Sequence, residues 1–162
     1  MAKRNLSEAL EQVEMTYREL NSIAKDMTDE IFAPINAIVD NINCNINNLT
    51  NDQIRDYMIQ LGVRSFSLSE IKEKSITKAQ CAEILRKEAY SESFNAVEGS
   101  IGVKDNKATL EVSGEMVAET LYDLVSSLFK SKVESIHKMI DVLKTVLMSR
   151  MSEAKLSANS ID

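Results

Sequence analysis

The stretch from Gly114 to Leu156 restricts the possible folds of this chain more than any other feature. It contains no proline, and no glycine after Gly114. Its apolar residues recur at intervals of three and four, the spacing of one α-helical face, and later approach a coiled-coil heptad. A helix of about 40 residues is roughly 60 Å long and needs other helices to cover that face. We take these residues as candidate oligomer-interface positions: Leu121, Val125, Phe129, Val133, Ile136, Ile140, Leu143 and Leu147.

The composition favours the same architecture. Four glycines and one proline in 162 residues are too few for the many turns of a sandwich or barrel. With 44% hydrophobic residues, the chain has the composition of one folded domain. We therefore predict an all-α, elongated helical bundle or coiled coil, with long N- and C-terminal helices and short helices between them.

Residues 1–49 form a predicted N-terminal coiled segment. Asn5 with Glu8 resembles a capping box at its start, and an interruption or kink is expected near Pro34. Apolar spacing resumes after the proline and continues to Leu49. The heptad-like face before it contains Leu6, Leu10, Val13, Tyr17, Leu20, Ala24, Met27 and Ile31.

The middle of the chain is predicted to be less regular. Residues 50–98 read as several short helices, one opened by a capping box of Thr50 and Gln53 and closed by Gly62. Residues 99–113 contain two short alternating runs of apolar residues, bracketed by three glycines and separated by the turn-like Lys104–Lys107, which predicts a small β-hairpin or an extended link. The long C-terminal helix then covers 114–156.

No arrangement of residues predicts catalysis, a cofactor or a metal site. The single histidine, His137, has Glu134 and Asp141 at helical spacing, which predicts an ordinary surface pair rather than a catalytic dyad. Cys44 and Cys81 lie far apart, which is typical of a reduced, intracellular protein. We find no signal peptide and no membrane span, so the expected location is the cytoplasm of a host cell or a virion.

Charge is distributed unevenly along the chain. The net charge is −6, which argues against unaided coating of duplex DNA. Residues 1–50 carry four basic against eight acidic side chains, whereas residues 124–155 carry six basic against three acidic ones. An acidic end and a basic end suit head-to-tail or ring-like packing of copies, although solvated faces of ordinary helices give the same pattern.

The C-terminal half resembles small helical phage proteins, among them the UvsY-type recombination mediators. The similarity rests on the run Ala108–Ser113, the long helix after it and the ending Ile140–Arg150. It implies a ring-shaped oligomer that binds single-stranded DNA and helps to load a recombinase. Its implied phosphate contacts are Lys130, Lys132, Lys138, Lys144 and Arg150.

Two functions follow as hypotheses. The first is a non-enzymatic phage-type accessory protein that self-assembles through its helices and binds single-stranded DNA as a recombination mediator. The alternative is a structural component of a viral particle or other large assembly, such as a neck, scaffold or capsid-associated part, without nucleic-acid binding. Expected partners are copies of the chain, single-stranded nucleic acid and other phage or host proteins, but no membrane.

Overall fold

A computed structural model describes residues 6–159 of the chain, and within them all regular secondary structure is α-helical. The four helices are α1 (Leu6–Asn45), α2 (Asn51–Ala96), α3 (Ile101–Glu111) and α4 (Ser113–Asn159). The all-α prediction is confirmed. Asn5, the predicted cap of the first helix, lies outside the described residues. Among residues 6–159, no helix is long and apolar enough to cross a membrane.

The predicted hairpin at 99–113 is wrong, because residues 101–111 form helix α3. Gly99 adopts a φ of 135°, a value that glycine reaches without strain, and the Lys104 amide donates to the Ser100 carbonyl at 3.1 Å. The short alternating run that suggested a strand also contains the helical spacing of Ala108 and Val112, and both side chains are buried. A run this short does not distinguish the two-residue period of a strand from the roughly 3.6-residue period of a helix.

Helix α3 packs against the end of α2. The Tyr90 hydroxyl donates to Asp105 Oδ1, and Lys104 Nζ lies 5.8 Å from the centre of the Phe94 ring. The hydrogen bond to Asp105 raises the pKa of Tyr90, since it holds the phenol in its protonated form. These polar contacts attach a helix of which only Ala108 is buried, while its larger apolar side chains remain exposed.

The predicted series of short helices at 50–98 is also wrong, because α2 is continuous over 46 residues and passes through Gly62. Its start was predicted correctly: Thr50 Oγ1 accepts from the Gln53 amide at 3.2 Å, and Gln53 Oε1 accepts from the Thr50 amide at 2.8 Å. The buried face of α2 keeps a three-and-four spacing, but five of its eight buried residues are serines or alanines, which hides the period from a search for large apolar residues. Its members include Leu61, Ser65, Leu68, Ser75, Ala79, Ala82 and Ser93.

Helix α1 continues through Pro34 without a break. Pro34 is exposed, whereas Ile35, Ile38 and Ile42 are buried. Proline removes one backbone hydrogen bond, and the burial of this isoleucine face offsets that loss. Tertiary packing thus keeps a helix where the local sequence predicts an interruption.

Two compact units share these helices. The first consists of α1 up to Thr28, α2 from Lys72, α3, and α4 up to Leu128. Its buried residues include Ala24, Ala79, Val112 and Val125.

The second unit consists of residues 29–71 together with α4 from Phe129. Its core is built from larger side chains than that of the first unit, and the rings of Phe32 and Phe129 meet edge to face with centres 5.3 Å apart. The fully buried members are Ile35, Ile42, Ile54, Leu61, Leu68, Phe129, Ile136 and Leu143.

Candidate interaction surface

The apolar face predicted on α4 is largely covered by the chain itself. Leu143, Phe129, Ile136 and Val125 retain 0 to 3% of their accessible surface, and Leu121, Val133, Ile140 and Leu147 are half-buried. Burial of this extent within a single chain makes the first four residues part of the core. They are not free to form a contact between copies unless the helices separate.

Arg150, a predicted phosphate contact, is occupied inside the second unit. Its guanidinium donates to the backbone carbonyls of Leu49, Ile46 and Asn47, the last two at 2.9 and 3.3 Å. These carbonyls follow the end of α1, where acceptors lack helical partners and the helix dipole favours a positive charge. Arg150 therefore acts as a structural cap between α4 and the connection from α1 to α2.

Lys132 is likewise held within the second unit. Its ammonium donates to Asn36 Oδ1 and lies 5.3 Å from the centre of the Phe32 ring. Burial lowers the pKa of Lys132, and the nearby carboxylate of Asp40 opposes that shift. A half-buried ammonium with two partners is poorly placed to contact a phosphate.

The other predicted cations remain at the surface. Lys130 and Lys138 are exposed, and neither has an ion pair among the described residues. Lys144 donates to Asp141 Oδ1 at 3.1 Å, and both side chains are more than half exposed. Three of the five predicted phosphate contacts are thus accessible, and they are distributed along α4.

His137 has a partner that the sequence did not predict. Its Nε2 lies 3.0 Å from the hydroxyl of Ser65 on α2. A serine beside a histidine suggests nucleophilic catalysis, but Ser65 is buried and lies inside a continuous helix. Its surrounding backbone amides are therefore committed to helical hydrogen bonds and cannot stabilise an oxyanion. The pair supports an interhelical contact rather than a hydrolytic site.

The first half of α1 presents an apolar face that the rest of the described chain leaves largely uncovered. Leu10, Val13 and Tyr17 are exposed to 60, 67 and 53%, although they continue the face that is completely buried at Ala24. Side chains at this spacing normally pack against another helix. These residues belong to the predicted heptad-like face of the N-terminal segment, whereas the predicted oligomer contact lies on α4.

A groove runs beside this face, between α1 and the beginning of α4. It has a volume of about 540 Å³, and both of its walls belong to the first unit. We call it the α1 groove. Its lining residues are Gln12, Val13, Thr16, Tyr17, Leu20, Thr120 and Leu124.

Acidic residues dominate the helix that forms one wall of the α1 groove. Glu8, Glu11 and Glu14 are exposed there, and Glu14 accepts from Arg18 Nε at 3.1 Å. An exposed pair of this kind contributes little to stability. None of these three glutamates lines the groove itself, but together they give the first half of α1 a negative field, which favours a basic partner.

Two further apolar stripes are exposed in the second unit. One lies on α2 and contains Ile59, Val63 and Phe66, the last with 85% of its surface accessible. The other lies near the end of α4 and consists of Lys144, Met148, Met151 and Lys155, at intervals of four, three and four. We call the second one the methionine stripe. Two methionines between two lysines form an apolar surface with a positive border.

Among the described residues, no group of acidic, histidine or cysteine side chains has an arrangement suited to holding a metal ion.

Comparison of the chain with known protein families, curated proteins and solved structures finds no match. The resemblance to UvsY-type mediators therefore stays a prediction, and a functional proposal has to rest on the surfaces themselves.

Proposed function

We propose that this protein is a non-enzymatic assembly component that associates with copies of itself through the exposed face of α1. The observation that carries the proposal is the uncovered continuation of a core face, Leu10, Val13 and Tyr17, beside the α1 groove. Contiguous apolar surface of this kind on a helical protein is typical of protein–protein contacts. The proposal keeps the predicted self-assembly but transfers the contact from α4 to α1.

Solution mass tests this proposal directly. We expect light scattering to give a particle larger than the 18.1 kDa chain. The double variant Val13→Gln/Tyr17→Gln should shift the mass towards that of a monomer, because glutamine keeps the helix but loses the apolar contact. A wild-type protein that is monomeric in solution would contradict the proposed self-association.

A matched control distinguishes a specific contact from nonspecific association through exposed apolar side chains. Val63→Gln/Phe66→Gln removes an equally exposed pair of apolar side chains from α2. We expect its particle mass to equal that of the wild type. Circular dichroism should show unchanged helix content in both double variants, since all four residues are exposed.

Single-stranded nucleic acid is a second candidate partner, supported by the exposed ammonium groups of Lys130, Lys138 and Lys144 on α4. Because Lys132 and Arg150 are hydrogen-bonded within the chain, fewer positive charges are available to contact phosphates than the sequence predicts. Binding through phosphates weakens steeply as salt rises. If this candidate holds, Lys138→Glu/Lys144→Glu should weaken salt-dependent binding of a fluorescent oligonucleotide. Absence of binding at about 50 mM salt, where phosphate contacts are strong, would exclude it.

A further inference from the structure

We propose that the α1 groove of one copy receives the methionine stripe of a second copy, so that the chain assembles head to tail. This inference rests on the proposed self-association and specifies both of its surfaces. It requires two different surfaces on each molecule, and both are exposed in this structure.

The shapes of the two surfaces are compatible. The α1 groove lies between two helices, α1 and α4, and a groove of this kind accepts the apolar face of a further helix. The methionine stripe is such a face, with Met148 and Met151 exposed to 68 and 45%. Methionine is flexible and polarisable, so it fits an open groove that has no fixed partner.

Charge selects this pairing over a symmetric one. A contact between two α1 grooves would bring together the acidic first halves of two α1 helices, each carrying Glu8, Glu11 and Glu14. The methionine stripe instead brings Lys155, and Lys144 with its exposed partner Asp141, towards that acidic helix. Opposite charges across an interface favour the correct partner, and like charges disfavour the wrong one.

The consequence is an open mode of assembly. A contact between unlike surfaces leaves one groove and one stripe unused at the ends of every finite chain, unless the chain closes into a ring. Particle mass should therefore increase with protein concentration or reach the fixed value of a closed ring. Added salt should weaken the contact, because exposed charges are screened at distances near 10 Å in about 0.1 M salt.

Mixing two defective variants tests the inference. The groove variant Val13→Gln/Tyr17→Gln keeps an intact methionine stripe, and the stripe variant Met148→Gln/Met151→Gln keeps an intact groove. Each alone should self-associate about 100-fold more weakly than the wild type, because two apolar contacts are lost. An equimolar mixture should form a 1:1 dimer and no larger particle, since only one intact groove can meet one intact stripe.

Other outcomes overturn the inference in distinguishable ways. If the stripe variant assembles as well as the wild type, and the mixture forms no mixed dimer, the contact is groove to groove: self-association stands and the head-to-tail arrangement fails. If Val63→Gln/Phe66→Gln abolishes assembly instead, a contact through α2 replaces both surfaces. If the wild-type chain is monomeric, the inference and the proposed function fail together, and oligonucleotide binding weakened by Lys138→Glu/Lys144→Glu would assign the basic surface to nucleic acid.

Discussion

Phe129→Ala is expected to reduce the free energy of unfolding by about 3–5 kcal/mol, the range for truncating a buried phenylalanine. Phe129 is 1% exposed and contacts the ring of Phe32 edge to face. Truncation removes this contact and leaves a cavity that the surrounding helices fill only in part. Urea denaturation followed by circular dichroism, at one fixed protein concentration, measures the change.

Phe66→Ala is the matched control for Phe129→Ala. Phe66 is 85% exposed, so its truncation should change stability by no more than about 0.5 kcal/mol. The contrary result is a Phe129→Ala protein of normal stability whose only defect is a smaller particle mass. That outcome would make the α4 face an interface between copies, as the sequence first predicts, rather than a core within one chain.

Arg150→Met should lower the free energy of unfolding by about 2–3 kcal/mol, because hydrogen bonds from charged donors are among the stronger ones. Methionine retains much of the unbranched stem but leaves the carbonyls of Ile46, Asn47 and Leu49 without their donor. Arg150→Lys should recover only part of the loss, since an ammonium cannot reproduce the planar fork of a guanidinium. Urea midpoints with unchanged slopes provide the values.

Lys130→Met is the matched control for the charge itself. Lys130 is exposed on the same helix, and its replacement should alter stability by less than about 0.5 kcal/mol. An Arg150→Met protein as stable as this control would show that the three contacts contribute nothing net. Arg150 would then again be available as a phosphate contact.

The errors in predicting local structure share a physical origin. Gly62 and Pro34 are unfavourable inside helices, yet α2 and α1 continue through them because burial of residues such as Leu61 and Ile35 outweighs a local cost of a few kcal/mol. The buried serines of α2 concealed its helical period, because a serine counts as polar in a sequence pattern whether it is buried or exposed. The hydroxyl of buried Ser65 has its hydrogen-bond partner, His137, on another helix.

The candidate surface was predictable in part. Periodicity identified the apolar face that contains Leu10, Val13 and Tyr17, but nothing in that pattern distinguishes a covered face from an open one. The same limit applies to charge: Arg150 and Lys130 look alike in the sequence, whereas only Arg150 lies beside unpaired carbonyls about a hundred residues earlier in the chain.

The amino-acid sequence alone determined that this protein is helical and which side chains of α4 avoid water, because both follow from the spacing of apolar residues along one helix. Tertiary structure decided which helices cover that face, that residues 101–111 are helical, and which cations remain free. Those outcomes depend on contacts between distant segments. The spacing of apolar residues in one segment does not show which other segment covers its apolar face.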